Sequence, residues 1–391
     1  MQGRTKNRTP AVSRLAEARR VVVKVGSALL VDQGTGRLNR AWLEALAQDL
    51  RRIRRRGQQI ILVSSGAIAL GRRQLGLPAG ALPLEHKQAA AAVGQIRLAH
   101  AYKELLEDEH TAVAQVLLTL QDSEQRRRYL NARATLNALL ELGAIPVINE
   151  NDTVATAEIR YGDNDRLAAR VAQMASADCL VLLSDVDGLY SADPNKDPAA
   201  EYFPEVRAIT PRIEAMAGGS ASDVGSGGMA TKIAAARIAM DAGCHMCIAT
   251  GHPLNPLKRV ESGARCTWFV PGATPVAARK QWISGSLKAA GRVQVDAGAA
   301  AALRRGRSLL PAGVTGADGA FERGDAVDVT DPDGRVLARG LAAYSRADVL
   351  RIMGRKSSQI EQLVGFRGRD EIIHRDDLVL RSGADGEPET T

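Results

Sequence analysis

Seven amide and carboxylate side chains stand at the two ends of residues 149–165 of this 391-residue chain. The first cluster is Asn149, Glu150, Asn151 and Asp152, and the second is Asp163, Asn164 and Asp165. The first cluster follows an apolar strand predicted at 144–148, and the second precedes an apolar helix pattern at 167–174. Asp and Asn at a helix start are ordinary caps, but open α/β sheets bind ligands at the carboxyl ends of their strands. Because two polar clusters flank one loop, we predict that this segment forms half of an active site.

Two lysines occupy positions where a lysine side chain contributes little to the stability of the fold. Lys24 closes a β-branched strand predicted to start at residue 20, and Lys232 lies in the first turns of a predicted helix. That end of a helix prefers anions to cations. The turns beside them, at 26–27 and 225–231, contain Gly and Ser, and backbone N–H groups at such helix starts bind phosphate oxygens. The sequence therefore predicts that the two lysines clamp a transferring phosphoryl group.

The second of these turns differs from the phosphate-binding loop of P-loop NTPases. It ends in Thr231 and Lys232, whereas that loop ends in Gly-Lys followed by Ser or Thr. A further turn with Ser64, Ser65 and Gly66 follows another predicted strand. The pattern therefore excludes a P-loop NTPase and favours a different phosphate-binding fold.

The elements that must position these residues alternate between strand and helix. Near-continuous apolar strands are predicted at 20–25, 60–63, 112–117, 144–148, 178–184 and 244–249. Helical patterns are predicted at 38–56, 86–106, 131–142, 167–174 and 227–242. Apolar strands of this kind are typical of a parallel sheet that is buried on both faces. The alternation predicts a three-layer αβα sandwich with a mostly parallel central sheet.

The pattern changes in the last quarter of the chain. From about residue 291 the predicted elements are short strands, at 292–295, 308–311, 326–329 and 336–339, separated by Gly and Asp-Gly turns. This predicts a small, mostly-β second domain. We therefore divide the chain into a disordered basic extension at 1–17, the α/β domain at 18–272, a linker at 273–290, the β domain at 291–380 and a flexible tail at 381–391.

Composition and cysteine spacing narrow the class of protein. The net charge of +8 permits an anionic partner without identifying one. No apolar run reaches membrane-spanning length and no apolar signal core stands at the N-terminus, which predicts a cytoplasmic protein with no membrane partner. Cys244 and Cys247 have CxxC spacing, but no second pair completes a zinc site. We therefore predict buried strand cysteines and no protein-bound metal.

Five motifs, in order along the chain, resemble those of the amino acid kinase family. They are VVKVGS (22–27), VSSGAIA (63–69), NEND (149–152) with GDND (162–165), DGLY (187–190) and GGMATK (227–232). Supporting stretches are AAVGQ (91–95) and LNAR (130–133), and SLLPAGVTG (308–316) resembles a PUA domain. The resemblance covers residues 21–380 and implies the amino acid kinase fold followed by a PUA-like domain. It further implies ATP-dependent phosphorylation of the γ-carboxylate of L-glutamate, the first step of proline biosynthesis.

Carried over to this sequence, the resemblance implies three groups of site residues. The catalytic residues are Lys24, Lys232 and Asp165, with Asp165 holding the two lysines in place. The glutamate-binding residues are Ser65, Asn149, Asp152, Asp163 and Asn164. The ATP-binding residues are Lys24, Gly26, Ser27, Gly66, Ser184, Asp185, Ser226, Gly227, Gly228, Met229, Ala230, Thr231 and Lys232. Position 184 is often Thr in this family, and Ser184 supplies the same hydroxyl group.

The resemblance also implies ligands and assembly. Mg²⁺ is expected to arrive with ATP, because this ion usually binds through phosphates and few carboxylates. Proline is implied as a feedback inhibitor, and a homo-oligomer, either a dimer or a tetramer, is implied as the assembly. Since the attacking group is the substrate's own carboxylate, the reaction requires positioning and electrostatic stabilisation but no protein base.

Two alternatives stay open at this stage. A sister kinase acting on aspartate, N-acetylglutamate, carbamate or a nucleoside monophosphate would share the fold, although the NEND and GDND pairing and the PUA-like tail favour glutamate. An RNA-binding protein is the second alternative, because PUA domains elsewhere bind RNA and the chain is basic. The tail's basic residues are diluted by Asp318, Asp325, Asp328, Asp331 and Asp333, and aromatic residues make up only 3% of the chain. Nucleic acid is therefore not expected to be the main partner.

Overall fold

The computed structural model describes residues 12–32, 35–107, 111–155, 164–217, 228–285, 288–366 and 368–381. The chain divides into two compact units, Met1–Pro275 and Val276–Thr391. Each unit has its own sheet and its own apolar core. Among the described residues, no helix is long and apolar enough to cross a membrane.

The first unit is built around a large sheet, which contains eight strands among the described residues. The strands of this unit are β1 (Arg20–Val25), β2 (Gln59–Ser64), β3 (Val113–Leu118), β4 (Ile145–Glu150), β5 (Cys179–Ser184), β6 (Leu189–Tyr190), β7 (Tyr202–Phe203), β8 (Glu205–Val206), β9 (His245–Thr250) and β10 (Cys266–Phe269). The large sheet has the order β3-β4-β2-β1-β5-β9-β10-β8, while β6 and β7 pair separately. All neighbours from β3 to β9 are parallel, which confirms the predicted mostly parallel sheet.

Helices cover both faces of this sheet. They are α1 (Val12–Glu17), α2 (Ser27–Leu30), α3 (Arg40–Arg55), α4 (Ala67–Gln74), α5 (Leu84–Leu106), α6 (Leu120–Glu124), α7 (Arg126–Glu141), α8 (Asn164–Ala175), α9 (Pro211–Ala215), α10 (Met229–Asp241) and α11 (Pro256–Glu261). One core joins α1, α3, α5 and α11 to the sheet, and a second core joins α7, α8 and α10 to the opposite face. The predicted three-layer αβα sandwich is confirmed.

Strand β1 contributes side chains to both cores. Val21 and Val23 pack in the core with α3 and α5, whereas Val22 packs in the core with α7, α8 and α10. Successive side chains of a strand point to opposite faces. Lys24 therefore projects from the same face as Val22, toward α8 and α10.

The strand order changes direction on either side of β1. The chain passes from β1 to β2 on one side and, after β3 and β4, crosses to β5 on the other side. Open α/β sheets bind ligands outside the carboxyl ends of the strands at such a switch point. Val25, the last residue of β1, is in register with Ser64 of β2 and Leu183 of β5, so the turns that follow these three strands lie side by side.

Helices α4 and α5 approach each other until their backbones touch. A Cβ atom on Gly94 would overlap the carbonyl oxygen of Ala67 and lie 2.6 Å from the nitrogen of Gly71. A Cβ atom on Gly71 would in turn overlap the carbonyl oxygen of Ala90. Only glycine at both positions permits this approach, which brings α5 against the start of α4 beside the turn after β2.

The second unit contains a smaller sheet, which has five strands among the described residues. Its strands are β11 (Gly291–Val295), β12 (Val314–Gly319), β13 (Ala326–Thr330), β14 (Val336–Leu341) and β15 (Leu378–Leu380). The remaining helices are α12 (Pro275–Gly285), α13 (Ala297–Arg304), α14 (Arg346–Ile352) and α15 (Ile360–Val364), with short 3-10 turns at Pro311–Gly313, Ser357–Gln359 and Arg375–Asp377. The sheet order is β12-β11-β13-β14-β15, which confirms a small β-rich second domain.

Two stretches are more ordered than expected. The N-terminal extension was predicted to be disordered to residue 17, but α1 forms within it because Leu15 is completely buried against the first core. The predicted linker 273–290 contains α12, in which Ala278 and Ile283 are buried. Both helices have only a few apolar residues at helical spacing, and polar residues surround them in the sequence. The helices were therefore not predicted.

Two strand predictions also need correction. The strand at 244–249 was predicted to be the last of its domain, but β10 follows it and pairs antiparallel with β9. Residues 308–311 do not form a strand; Leu309 makes a single bridge with Ile373, and Pro311 begins a 3-10 turn. Proline lacks the N–H donor that a strand at this position requires.

Candidate active site

Lys24, Asp165 and Lys232 meet at the carboxyl end of β1. Lys24 Nζ lies 2.6 Å from Asp165 Oδ1, and Lys232 Nζ lies 3.2 Å from Asp165 Oδ2. Lys24 comes from the strand, Asp165 from the first turn of α8 and Lys232 from the first turns of α10. The side chain of Asp165 is 1% exposed and that of Lys232 is 5% exposed. Two ammonium groups are thus held side by side by one buried carboxylate, and we call these three residues the lysine clamp.

The charges of the lysine clamp control the titration of Asp165. Burial alone would raise the pKa of this carboxyl group, but the ammonium groups of Lys24 and Lys232 outweigh burial and lower the pKa below its ordinary value. Asp165 also lies in the first turn of α8, where the helix dipole favours a negative charge. Asp165 is therefore a carboxylate at neutral pH.

We expect Asp165 to make the protein more stable at neutral pH than in acid. Because its folded-state pKa is lowered, the stabilisation is present above the unfolded pKa of about 4 and is lost as pH falls through the lower folded value. Chemical unfolding should show that Asp165→Asn is less stable than wild type at pH 7 and that the difference shrinks below about pH 4. The measurement is the free energy of unfolding of both proteins as a function of pH.

Asp49 provides a matched control for this pH dependence. Its carboxylate is equally buried, but burial raises its pKa despite hydrogen bonds from the N–H groups of Lys258 and Leu257 and the nearby Arg52. The contribution of Asp49 to the free energy of unfolding should therefore decrease as pH rises through the acid range. The contribution of Asp165 should increase over the same range. A stability gap for Asp165→Asn that is constant from pH 3 to pH 7 would contradict the interpretation.

Turns suited to anion binding border the lysine clamp. A Cβ atom on Gly26 would lie 3.7 Å from the carbonyl oxygen of Leu183 and 3.9 Å from Lys24 Nζ, so this turn lies directly beside β5 and the clamp. Gly66 has φ +105°, in the left-handed region that favours glycine, and begins α4. Gly228 is the N-cap residue of α10, and Lys232 lies in the first turns of the same helix. The start of a helix presents unpaired N–H groups to anions.

The loop after β5 adds a hydroxyl group and a carboxylate to this edge. Ser184 Oγ donates a hydrogen bond to Asp185 Oδ1 at 2.8 Å. Burial would raise the pKa of Asp185, but the hydrogen bond from Ser184 and the charge of Lys232 lower it. Thr231 Oγ1 lies 3.3 Å from Asp165 Oδ2, which links the α10 turn to the clamp. The described members of the predicted ATP-binding set therefore come from turns at one edge of the sheet.

A cleft of about 740 Å³ opens beside these turns. Among the residues that line it are Ser65, Asn149, Asp152 and Asn164, together with Ser27 and Gly66. The first four belong to the predicted glutamate-binding set, and the last two to the predicted ATP-binding set. Ligand pockets typically measure roughly 300–1,000 Å³. The cleft is therefore large enough for a small substrate beside part of a nucleotide.

A chain of amide hydrogen bonds connects the polar residues of the cleft. Asn164 Nδ2 donates to Ser65 Oγ at 2.8 Å and to Asn149 Oδ1 at 2.9 Å. Asn149 Nδ2 donates in turn to Gln95 Oε1 at 2.9 Å. Three polar residues that are far apart in the sequence are thus connected in one network with Gln95 at its end.

Gln95 has no role in the predicted site, and three predicted site residues lie outside the described part of the chain. Gln95 was used only as part of the AAVGQ motif, although a glutamine on a helix face shared with Ala91 and Leu98 is a recognisable signal. Asp163, Ser226 and Gly227 lie outside the described residues, so their assignments stay predictions. All four cysteines are buried and free, including Cys244 and Cys247 of the CxxC spacing.

Comparison with known proteins identifies the family. Residues 19–250 match the model of the amino acid kinase family, and residues 291–364 match that of the PUA domain. The chain is 65% identical over 369 residues to "Glutamate 5-kinase" of Paramagnetospirillum magneticum, covering 94% of this chain and all of that protein. It belongs to the glutamate 5-kinases of the amino acid kinase family. Relatives with the same name from Dinoroseobacter shibae (61% identical, covering 94% of this chain and 99% of that protein) and Agrobacterium fabrum (58%, covering 95% of each) agree with this.

Membership of the glutamate 5-kinases makes the chain a kinase, and the geometry of the site is suited to phosphoryl transfer. The buried ammonium group of Lys232, the partly buried ammonium group of Lys24 and several helix starts meet where the sheet order changes, beside a polar cleft. Phosphoryl transfer requires positioning and stabilisation of charge that spreads over the phosphoryl oxygens. The two ammonium groups can stabilise that charge, and the polar cleft beside them can position an acceptor.

Proposed function

We propose that this protein transfers the γ-phosphoryl group of ATP to the γ-carboxylate of L-glutamate, forming L-glutamyl 5-phosphate and ADP. The observation that carries the proposal is the lysine clamp, which lies beside the glycine-containing turns and whose Asp165 directly follows Asn164 of the amide-lined cleft. A nucleotide held by the turns and an amino acid held in the cleft would meet at the clamp. The names of the relatives support glutamate as the acceptor.

In the proposed reaction, a γ-carboxylate oxygen of glutamate forms a bond to the γ-phosphorus of ATP while the bond from that phosphorus to the bridging oxygen of ADP breaks. The carboxylate is already ionised at neutral pH, since its ordinary pKa is about 4.3. No proton therefore has to be removed by the protein. Lys24 and Lys232 stabilise the negative charge on the phosphoryl oxygens, and Asp165 keeps their ammonium groups in position.

The cleft offers groups for each polar end of glutamate. The Ser65 hydroxyl accepts a hydrogen bond from Asn164, so its own proton is directed to another acceptor such as the substrate carboxylate. Oxygen atoms of Asn149, Asp152 and Asn164 suit the ammonium group of the amino acid, and Asp163 is proposed to act with them. This arrangement would distinguish an amino acid from a nucleoside monophosphate, which has no ammonium group.

The turns around the clamp are proposed to hold the nucleotide. The proposed ATP-binding residues are Lys24, Gly26, Ser27, Gly66, Ser184, Asp185, and residues 226–232. Within the described part of the chain, no group of three or more His, Cys, Asp or Glu side chains could hold a metal ion, and Asp165 already binds two lysines. These carboxylates therefore fit a Mg²⁺ ion whose ligands are mainly the phosphates of ATP. The ion would neutralise part of the charge of those phosphates.

Trapping of the acyl phosphate tests the proposed reaction. The purified protein is incubated with Mg-ATP, L-glutamate and hydroxylamine, and γ-glutamyl hydroxamate is measured, because hydroxylamine converts an acyl phosphate into a hydroxamate. We expect product from L-glutamate and at least about 100-fold less from L-aspartate or N-acetyl-L-glutamate, which place the carboxylate wrongly or lack the ammonium charge. Equal product from aspartate, or none from glutamate with folded protein that binds ATP, would overturn the proposed acceptor.

Family membership supports two further proposals. We propose that proline, the end product of the pathway that this reaction would open, inhibits the enzyme, and that the protein assembles as a dimer or tetramer. Hydroxamate formation that is unchanged by millimolar proline would exclude the first proposal. A monomeric mass in light scattering at micromolar concentration would exclude the second.

A further inference from the structure

We propose that Gln95 is a positioning residue for the amino acid substrate, acting through Asn149 and Asn164 on Ser65. This inference rests on the proposed function. It assigns a role in acceptor binding to a side chain of α5 that is itself buried behind the cleft. The four residues are called the amide relay.

The amide relay has a direction that follows from the donor and acceptor atoms. Gln95 Oε1 accepts from Asn149 Nδ2, which turns Asn149 Oδ1 toward Asn164. Asn164 Nδ2 then uses its two protons on Asn149 Oδ1 and Ser65 Oγ. Because Ser65 accepts this bond, its own proton can be donated to a substrate carboxylate, and Asn164 Oδ1 can accept from an ammonium group. The Oε1 acceptor of Gln95 therefore determines which atoms of Asn149, Asn164 and Ser65 are available to a substrate in the cleft.

The burial of Gln95 indicates that its position has a function. Gln95 is 7% exposed, and its Nε2 atom donates to no acceptor among the described residues. A buried amide donor without a partner costs stability. A methionine or leucine would fill the same space without that cost, so the glutamine is better explained by its contact with Asn149, which is 3% exposed.

The fold holds Gln95 rigidly against the site. Gly94 precedes it and packs against the backbone of Ala67 at the start of α4, and this contact fixes the position of α5. Asn149 lies at the end of β4, in register with Leu117 of β3. The distance between Gln95 and Asn149 is therefore determined by a helix contact and a strand end rather than by a mobile loop.

Steady-state kinetics of Gln95→Met and Gln95→Glu test the role of the acceptor. Methionine keeps the volume and helix preference but removes the Oε1 acceptor, whereas glutamate keeps an acceptor for Asn149. We expect Gln95→Met to raise the KM for L-glutamate about 10-fold or more, with kcat within about 3-fold and the KM for ATP within about 2-fold. Gln95→Glu should recover a substantial part of the affinity for L-glutamate.

Gln58→Leu is the matched control for loss of a buried glutamine. Gln58 is also 7% exposed, but it donates to the carbonyl oxygens of Leu15 and Ala18 near the opposite end of β2. This variant should lower the thermal stability and leave the KM for L-glutamate unchanged. If Gln95→Met does not fold, Gln95→Ala is measured in its place.

The possible results separate failure of the amide relay from failure of the proposed kinase reaction. A KM for L-glutamate within 2-fold of wild type in Gln95→Met, or an equal loss in Gln95→Met and Gln95→Glu, overturns the relay while the kinase reaction stands. Equal increases in the KM values of both substrates also overturn it, because they indicate general damage. A wild type that forms no γ-glutamyl hydroxamate overturns the proposed acceptor and the relay's role together.

Discussion

We expect Lys24→Met and Lys232→Met each to lower kcat for γ-glutamyl hydroxamate formation by about 100- to 1,000-fold, the usual loss when one preorganised donor to a developing negative charge is removed. Both ammonium groups stand on a single buried carboxylate, so neither can move into the place of the other. Methionine keeps the length and most of the apolar stem of lysine. The loss should therefore report the missing charge rather than a collapsed site.

The binding of substrates separates this effect from misfolding. The Kd for Mg-ATP, measured by calorimetry, should rise far less than kcat falls, because interactions confined to the transition state affect kcat. Lys103→Met is the control, since Lys103 is 59% exposed and forms an ion pair with Glu107, the residue that follows α5. If either clamp variant retains more than about one third of the wild-type kcat, that lysine does not stabilise the transferring group.

We expect Gly94→Ala to destabilise the first unit by about 3 kcal/mol, because the added methyl group overlaps backbone rather than a flexible side chain. The overlap is with the carbonyl oxygen of Ala67, and the nitrogen of Gly71 is only 2.6 Å away. Helices α4 and α5 must separate to admit it. For a domain of this size the midpoint of thermal unfolding should fall by roughly 6 °C or more.

The same separation should also weaken acceptor binding. Gln95 follows Gly94 directly, so a shift of α5 pulls Gln95 away from Asn149. Any folded Gly94→Ala protein should therefore show a raised KM for L-glutamate. Gly272→Ala is the control, because a Cβ atom there meets nothing within 4 Å. A melting temperature of Gly94→Ala within 2 °C of wild type would show that the two helices are not in tight contact.

Much of the first unit could be predicted from the sequence because its strands are short apolar runs. Residues 20–25 read as a buried strand, and β1 forms over the same residues, since Val21, Val22 and Val23 can be buried only between two layers of helices. The predicted helix at 38–56 corresponds to α3, which is capped by Asn39, whose side chain accepts from the N–H of Trp42. The antiparallel strand β10 was missed because it is only four residues long, and the helix α12 because few of its residues are buried.

The two lysines of the clamp were predictable from their unusual positions, whereas the role of Asp165 was implied only by the family resemblance. A lysine at the end of a buried strand and another at a helix N-terminus each require an anionic partner. No local sequence pattern indicates that Lys24 and Lys232 lie close together in the folded protein. Lys24 and Lys232 are separated by most of the first unit, and only the parallel sheet brings β1, α8 and α10 to one point.

By itself the sequence determined the order of the elements, the layered architecture and the residue types that we propose bind phosphate and an amino acid. These follow from local patterns, since burial on both faces requires apolar strands and anion binding requires lysines and glycine-containing turns. The tertiary structure decided which of the many polar residues face each other. Gln95 shows the difference, because its partner Asn149 is 54 residues away and becomes a neighbour only through the glycine contact of α4 and α5.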